Sequence, residues 1–378
     1  MTAHPRRAGR LRHRLALPLL AAAGLLLTTA CGPEDPGFAM QKDLAQAAPA
    51  ATPAPGAPGT PGAPGAPGTP GATPAAGGTA PAAPATPKAL PAGVPYDVTP
   101  LLRPSHKYLG AALPDVPATM DALPGYRDAI GKQPNVLEFY AHWKGGFDTA
   151  GARRIHDAGA LPFMAWEPHD RSLASIAAGD TDDYVRGVAK AVAKFNLPIA
   201  VSIAHEMNGD WYPWGRQAAT PEDFVAAWCH VHDLFDQAGA TNVIWVWSPN
   251  ITDPAPNTRL EPYYPGDTYV DWAGMTGYFT KTGPKTFDAL YGPTMAEIRG
   301  FSQKPFFISE TASEQGKRQH ADIDQLFSGL EAHDDIVGFV WFNIVKRADW
   351  RVEAVPDTLA AFKQRVSDPR YGFDIRNP

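Results

Sequence analysis

Two glutamates in this chain could work as a chemical pair. Glu206 lies in the dense run His205-Glu206-Met207-Asn208-Gly209-Asp210-Trp211-Tyr212-Pro213-Trp214-Gly215, and Glu310 ends the apolar run Phe306-Phe307-Ile308-Ser309. Two carboxyl groups facing one another across a sugar are the minimal apparatus for breaking a glycosidic bond. One must be protonated to donate to the leaving oxygen, and the other ionised to attack the anomeric carbon. The side chains are chemically identical, so their surroundings must separate their pKa values. One glutamate at a strand end commonly serves as an ion pair or cap. The pairing, among aromatic rings, is what points to chemistry.

The elements that must position the pair follow from hydrophobic patterning. Short apolar, β-branched or aromatic runs occur at Tyr108–Ala112, Val136–Tyr140, Leu161–Trp166, Ile199–Ala204, Val243–Trp247, Trp272–Thr276, Pro305–Ser309 and Val337–Phe342. Amphipathic helical stretches such as Asp182–Phe195 and Pro221–Ala238 lie between them. The second opens with Thr220-Pro221-Glu222-Asp223: a capping residue, a proline at the first helical position and two acids in the first turn. Eight βα repeats predict an α/β fold of the (β/α)8 TIM barrel type over residues 95–378. Barrel sites are built at the C-terminal ends of the strands. Those ends carry His142-Trp143, Trp166-Glu167, His205-Glu206, Trp247-Ser248, Gly277-Tyr278, Glu310 and Asn343. A doubly wound open sheet would instead call for a glycine-rich phosphate loop after an early strand, and the sequence has none.

The aromatic residues suggest the ligand. Trp211, Tyr212 and Trp214 crowd one short loop, and Trp341 leads on to Lys346, Asp349, Trp350 and Arg351. Aromatic faces stack on sugar C–H faces at low entropic cost. The ten tryptophans are therefore expected to line a cleft. His205, Glu206 and Asp210 lack the H-E-x-x-H spacing of a zinc helix, so neither a catalytic metal nor any other cofactor is expected. Ser248 and Ser309 lack a Gly-x-Ser-x-Gly elbow. A net charge of −6 with no basic face argues against nucleic acid as a partner.

Taken together, the runs HEMNGDWYPWG, VWSPN, YYPGDTYVDWAGMTGY, FFISET and VWFNIVKRADWR resemble glycoside hydrolase family 26 over about residues 105–365. The resemblance implies a barrel whose strands four and seven carry the reacting carboxylates, with net retention of anomeric configuration. By the same resemblance Glu206 is the acid/base and Glu310 the nucleophile. Tyr278 would hold the nucleophile ionised, Trp341 would floor the −1 subsite, and Trp211 would lie beside the scissile bond. His205, Trp166, His142, Trp247 and Arg351 complete the expected substrate contacts. The family contains β-mannanases, mixed-linkage β-glucanases and β-1,3-xylanases. The segment Trp166-Glu167-Pro168 looks more like the glucanase and xylanase branches, so the expected mannan substrate keeps those alternatives beside it. A barrel that binds envelope polysaccharide without cutting it is the alternative of another class. The enzyme is expected to act as a monomer.

Residues 1–30 read as a signal peptide, with arginines 6, 7, 10, 12 and 14 ahead of an apolar run from Leu15 to Leu27. Cys31 follows Thr-Thr-Ala, which resembles a lipobox with Thr28 in place of the usual leucine. Acylation of Cys31 would anchor the protein in a membrane. Ordinary cleavage after Ala30 is the alternative, and the Arg6-Arg7 pair raises the twin-arginine route. Residues 31–94 are an Ala/Pro/Gly/Thr-rich linker with too few large apolar side chains to offset ordering. Export, either to the outer face of the membrane or into the medium, is the expected localisation.

Overall fold

The structure is a computed structural model that describes residues 94–252, 258–346 and 348–378. The expected signal peptide, Cys31 and all but the last residue of the expected linker lie outside the described residues. Eight parallel strands close into a barrel in sequence order, with β8 pairing back onto β1. They are β1 (Tyr108–Ala112), β2 (Val136–His142), β3 (Leu161–Glu167), β4 (Ile199–Ile203), β5 (Val243–Trp247), β6 (Trp272–Thr276), β7 (Phe306–Thr311) and β8 (Ile336–Phe342). Each lies within two residues of its predicted position.

Seven longer helices wrap the barrel: α1 (Ala122–Ile130), α2 (Thr149–Asp157), α3 (Asp182–Phe195), α4 (Pro221–Gln237), α5 (Phe287–Arg299), α6 (Gln319–Ala332) and α7 (Pro356–Val366). At the start of α4 the Thr220 side chain accepts from the Asp223 backbone, and the Asp223 side chain accepts from the Thr220 backbone. These two bonds satisfy backbone groups that a helix start leaves open, so the sequence signal was a true capping box. The alternation departs from regularity between β5 and β6. Among the described residues that connection holds only the 3₁₀ turn Glu261–Tyr263.

Strand parity decides what enters the barrel. Tyr108, Phe163, Trp272 and Phe307 come from strands that are mostly not neighbours, yet their rings meet. Tyr108 lies 5.2 Å from Trp272, and Phe163 lies 5.8 Å from Phe307. They fill the lower interior, as the side-chain layers of this fold require. Residues of opposite parity face the helices. Trp245 packs on Trp228 and Phe235 of α4, and Phe339 packs on Phe327 of α6 and Phe362 of α7.

One irregularity sits where it matters. The register of β7 shifts against β6 so that Thr276 pairs with Glu310 rather than Ser309, and it shifts again against β8 between Ile308 and Thr311. The Ser309 hydroxyl bonds Ser248 inside the barrel, and the next side chain, Glu310, also points inward onto Tyr140 and Tyr278. A regular strand cannot aim consecutive side chains the same way. The bulge re-aims Glu310 into the mouth.

Candidate active site

Glu206 leaves β4 through a strained backbone. Ala204 and Glu206 have φ of 49° and 55°, the left-handed region that costs a residue with a side chain about 1–3 kcal/mol. Surrounding bonds hold the conformation. Ala204 donates its N–H to the Trp166 carbonyl at 3.0 Å, and Glu206 donates to the Ser248 carbonyl at 2.7 Å. The Trp214 indole donates to the His205 carbonyl at 2.7 Å. The Asn208 side chain locks the two loops together, donating to the Asn250 carbonyl and accepting from the Asn250 N–H, both at 2.9 Å. The buried Glu206 carboxyl then accepts from the Trp211 indole at 2.9 Å and from the Asn250 amide. Gly209 permits this arrangement, because a Cβ there would lie 2.4 Å from the Trp211 ring.

Glu310, only partly buried, accepts a phenol hydroxyl on each oxygen, from Tyr140 and from Tyr278. Hydroxyl donors to a carboxylate are among the stronger protein hydrogen bonds. The ring of Trp350 lies 5.1 Å from that of Tyr278, and Phe342 lies 6.2 Å from it, so two more aromatic groups back this carboxylate.

Burial raises both acids. It pushes Glu206 up to about 7, against the lowering pull of the Asn250 and Trp211 hydrogen bonds. Burial and the Glu206 charge push Glu310 up to about 8, against the Tyr140 bond and the positive charge of Lys346. Near neutrality the pair therefore shares a proton instead of ionising twice. Beneath it, burial and the surrounding carboxylates raise Glu138 well above the ordinary range. Burial lowers His205 to about 4, so its ring is neutral, and it sits 3.1 Å from the Tyr212 hydroxyl.

The structure brings together Glu206, Glu310, His205, Trp211 and Tyr278 as expected, with His142 on the same inward face of β2 as Tyr140. Arg351 stands at the rim, paired to Asp349 through bonds of 2.9 and 2.7 Å. Three expected contacts are corrected. Trp166 faces outward, stacked on Trp143 at 3.9 Å and against Phe235 of α4. Trp247 also faces outward, against Tyr264 and Phe301, with its indole bonded to the Tyr263 carbonyl. Trp341 packs on Phe362 of α7 at 5.2 Å, away from the mouth; it is Trp350 whose ring lies beside Tyr278. The physical reason is the two-residue period, which turns these three strand positions to the helices. The wider expectation of tryptophans exposed in a cleft also fails, since all ten are buried. Tyr140, Asn250 and Glu138 were missed. Tyr140 was legible from parity with His142, whereas Asn250 reaches the site from a separate loop just past β5.

The barrel, with one acid just past β4 and the other on β7, has the arrangement of two carboxyl groups that glycosidic-bond cleavage calls for. The sequence profile of glycosyl hydrolase family 26 matches residues 178–330. It is 28% identical over 259 residues to Endoglucanase H of Acetivibrio thermocellus, covering 65% of this chain and 29% of that protein. It is 32% identical over 113 residues to mannan endo-1,4-beta-mannosidase A and B of Caldalkalibacillus mannanilyticus, covering 28% of this chain and 20% of that one. The chain thus spans less than a third of the length of either relative. A modular endo-beta-1,4-mannanase from Cellulomonas fimi shares the fold, with a TM-score of 0.57 and 16% identity, covering 72% of this chain and 74% of that one.

Proposed function

We propose that the chain is a retaining endo-β-glycanase that cuts β-mannan-type polysaccharide. The carrying observation is the contrast between its two acids. Glu206 is enclosed and held by two N–H donors, whereas Glu310 is open to the mouth and held by two phenols with a cation nearby. Burial and the Glu206 charge raise Glu310 more than Glu206 in the free site. Its phenol donors and the nearby cation nevertheless favour the ionised form, and double displacement requires Glu310 to carry the charge and Glu206 the proton. Glu310 attacks the anomeric carbon while Glu206 protonates the leaving oxygen. Glu206, now a base, then takes a proton from the water that releases the glycosyl group, and two displacements return the original configuration. Neutral His205 and Tyr212 buttress the Glu206 loop, Trp350 backs the sugar beside Tyr278, and Arg351 and His142 border the site.

Relatives named as mannosidases support mannan. The longer alignment with an endoglucanase, together with Glu167 at the end of β3, favours a mixed-linkage β-glucan as the second reading. A β-1,3-xylan remains the third polysaccharide in the comparison. Incubation with mannan, lichenan and β-1,3-xylan, with sizing of the products, tests the proposal. Internal cleavage of one of them, lost in Glu310→Ala, is expected. No release from any of the three would leave the barrel a polysaccharide-binding protein. The leader-like residues 1–30 and Cys31 support a further reading, that the enzyme is exported and lipid-anchored. Cys31→Ser should then move it from the membrane to the soluble fraction, and unchanged fractionation would refute the anchor.

A further inference from the structure

At the β2–β3 side of the mouth, three side chains converge that the hydrolytic scheme leaves without a shared task. His142 ends β2, Glu167 ends β3, and His169 follows two residues later. One nitrogen or oxygen from each lies within 4.8 Å of the others. Glu167 is wholly buried, with one oxygen 3.2 Å from the His169 Nε2 and the other, Oε1, lacking a partner. The Nε2 of His142 is likewise buried without a partner. The two imidazole rings sit 4.8 Å apart and tilted by 48°, so they are not stacked on one another.

From this geometry we infer that His142, Glu167 and His169 form a binding site for a divalent cation of the zinc class. A buried polar atom left without a hydrogen bond costs about 1–3 kcal/mol, and this cluster holds two such atoms. A single cation would partner both and take the place of the contact between Glu167 and His169. Two imidazoles and one carboxylate suit tetrahedral Zn²⁺ with a fourth position left to water. Calcium and magnesium would need more oxygen ligands than the cluster offers. The charge on Glu310, which interacts with Glu167, adds a negative field beside the cluster and favours cation entry. No step of hydrolysis uses this cation. His142 lies two residues along the same strand face from Tyr140, which holds Glu310. A cation here therefore stands against the sugar path, and zinc is an inhibitor of the glycanase. The inhibition rests on the proposed hydrolytic reading, but the binding does not.

Zinc titration of the full chain by chelator competition, without substrate, separates the two. Zinc affinity should fall by more than about tenfold in both His142→Ala and His169→Ala, as removal of one ligand of three demands. His230→Ala, on α4 and bonded to Asp182, should leave it unchanged. Zinc should also raise the melting temperature of the wild type and of His230→Ala, but not that of the two ligand variants. This readout shows as well that each variant folds. Co²⁺ in place of zinc should give a tetrahedral visible spectrum that His169→Ala abolishes. Equal zinc affinity in all four proteins would overturn the site, as would the lack of saturable binding by the wild type.

Discussion

The burial of Glu206 makes a prediction that needs no substrate. A carboxyl with an ordinary value of 4.5 that reaches about 7 in the fold binds its proton more tightly folded than unfolded. Its contribution to stability is complete below about 4.5 and is lost as pH rises through 7. At 1.36 kcal/mol per pKa unit, Glu206 alone removes about 3 kcal/mol of stability between pH 5 and pH 8. Glu206→Gln keeps the shape and cannot ionise, so it should abolish that share of the slope. It also removes the negative charge that helps to raise Glu310, which flattens the profile further. Urea unfolding at intervals from pH 5 to pH 8 reads the effect as the difference between the two proteins' pH profiles. Absolute stability is not the test, because a glutamine amide cannot accept from both Trp211 and Asn250. A variant whose stability falls with pH as steeply as the wild type would refute the burial argument and the proton placement built on it.

Other outcomes follow from the same geometry. Tyr278→Phe and Tyr140→Phe each remove one charge-assisted bond to Glu310, worth about 1.5–3 kcal/mol, so kcat/KM should fall about 10- to 100-fold in each. Steady-state kinetics on a soluble glycan checks this. Gly209→Ala places a Cβ against the Trp211 ring and should break the indole bond to Glu206, with activity falling sharply. Its circular dichroism should stay that of the wild type. Trp350→Ala should lose activity, whereas Trp341→Phe should lose about 1–3 kcal/mol of unfolding stability with kcat nearly kept. The reverse pattern would restore Trp341 to the subsite.

The barrel was legible because each strand is a compact apolar run ending in polar residues, and the run lengths alone fix eight repeats. Glu206 and Glu310 were legible as the acids at the ends of two of those runs. The tryptophans were misread for a definite reason. Trp166, Trp247 and Trp341 stand at strand ends, which suggested the mouth, but each has the parity that faces a helix. Parity could have corrected all three, and it would have found Tyr140 two residues before His142. It could not have found the inward turn of Glu310, which depends on a register shift against both neighbouring strands. Asn250 was beyond such counting for another reason. It reaches Glu206 from a separate loop through its pairing with Asn208, a contact between segments far apart in the chain.

The bulge in β7 makes the direction of Glu310 a matter of pairing. Ser309 and Glu310 both enter the barrel because the ladder carries one residue more than regular pairing needs. Pairing the same residues without that shift would leave the composition and the hydrophobic profile untouched, yet it would send the carboxylate toward the helices. The information that separates a cutting barrel from an inert one therefore sits partly in pairing and not in residue identity. A relative that retained every glutamate, phenol and indole but paired this strand regularly would look intact to any comparison of side chains, and its glutamate would face away from the sugar.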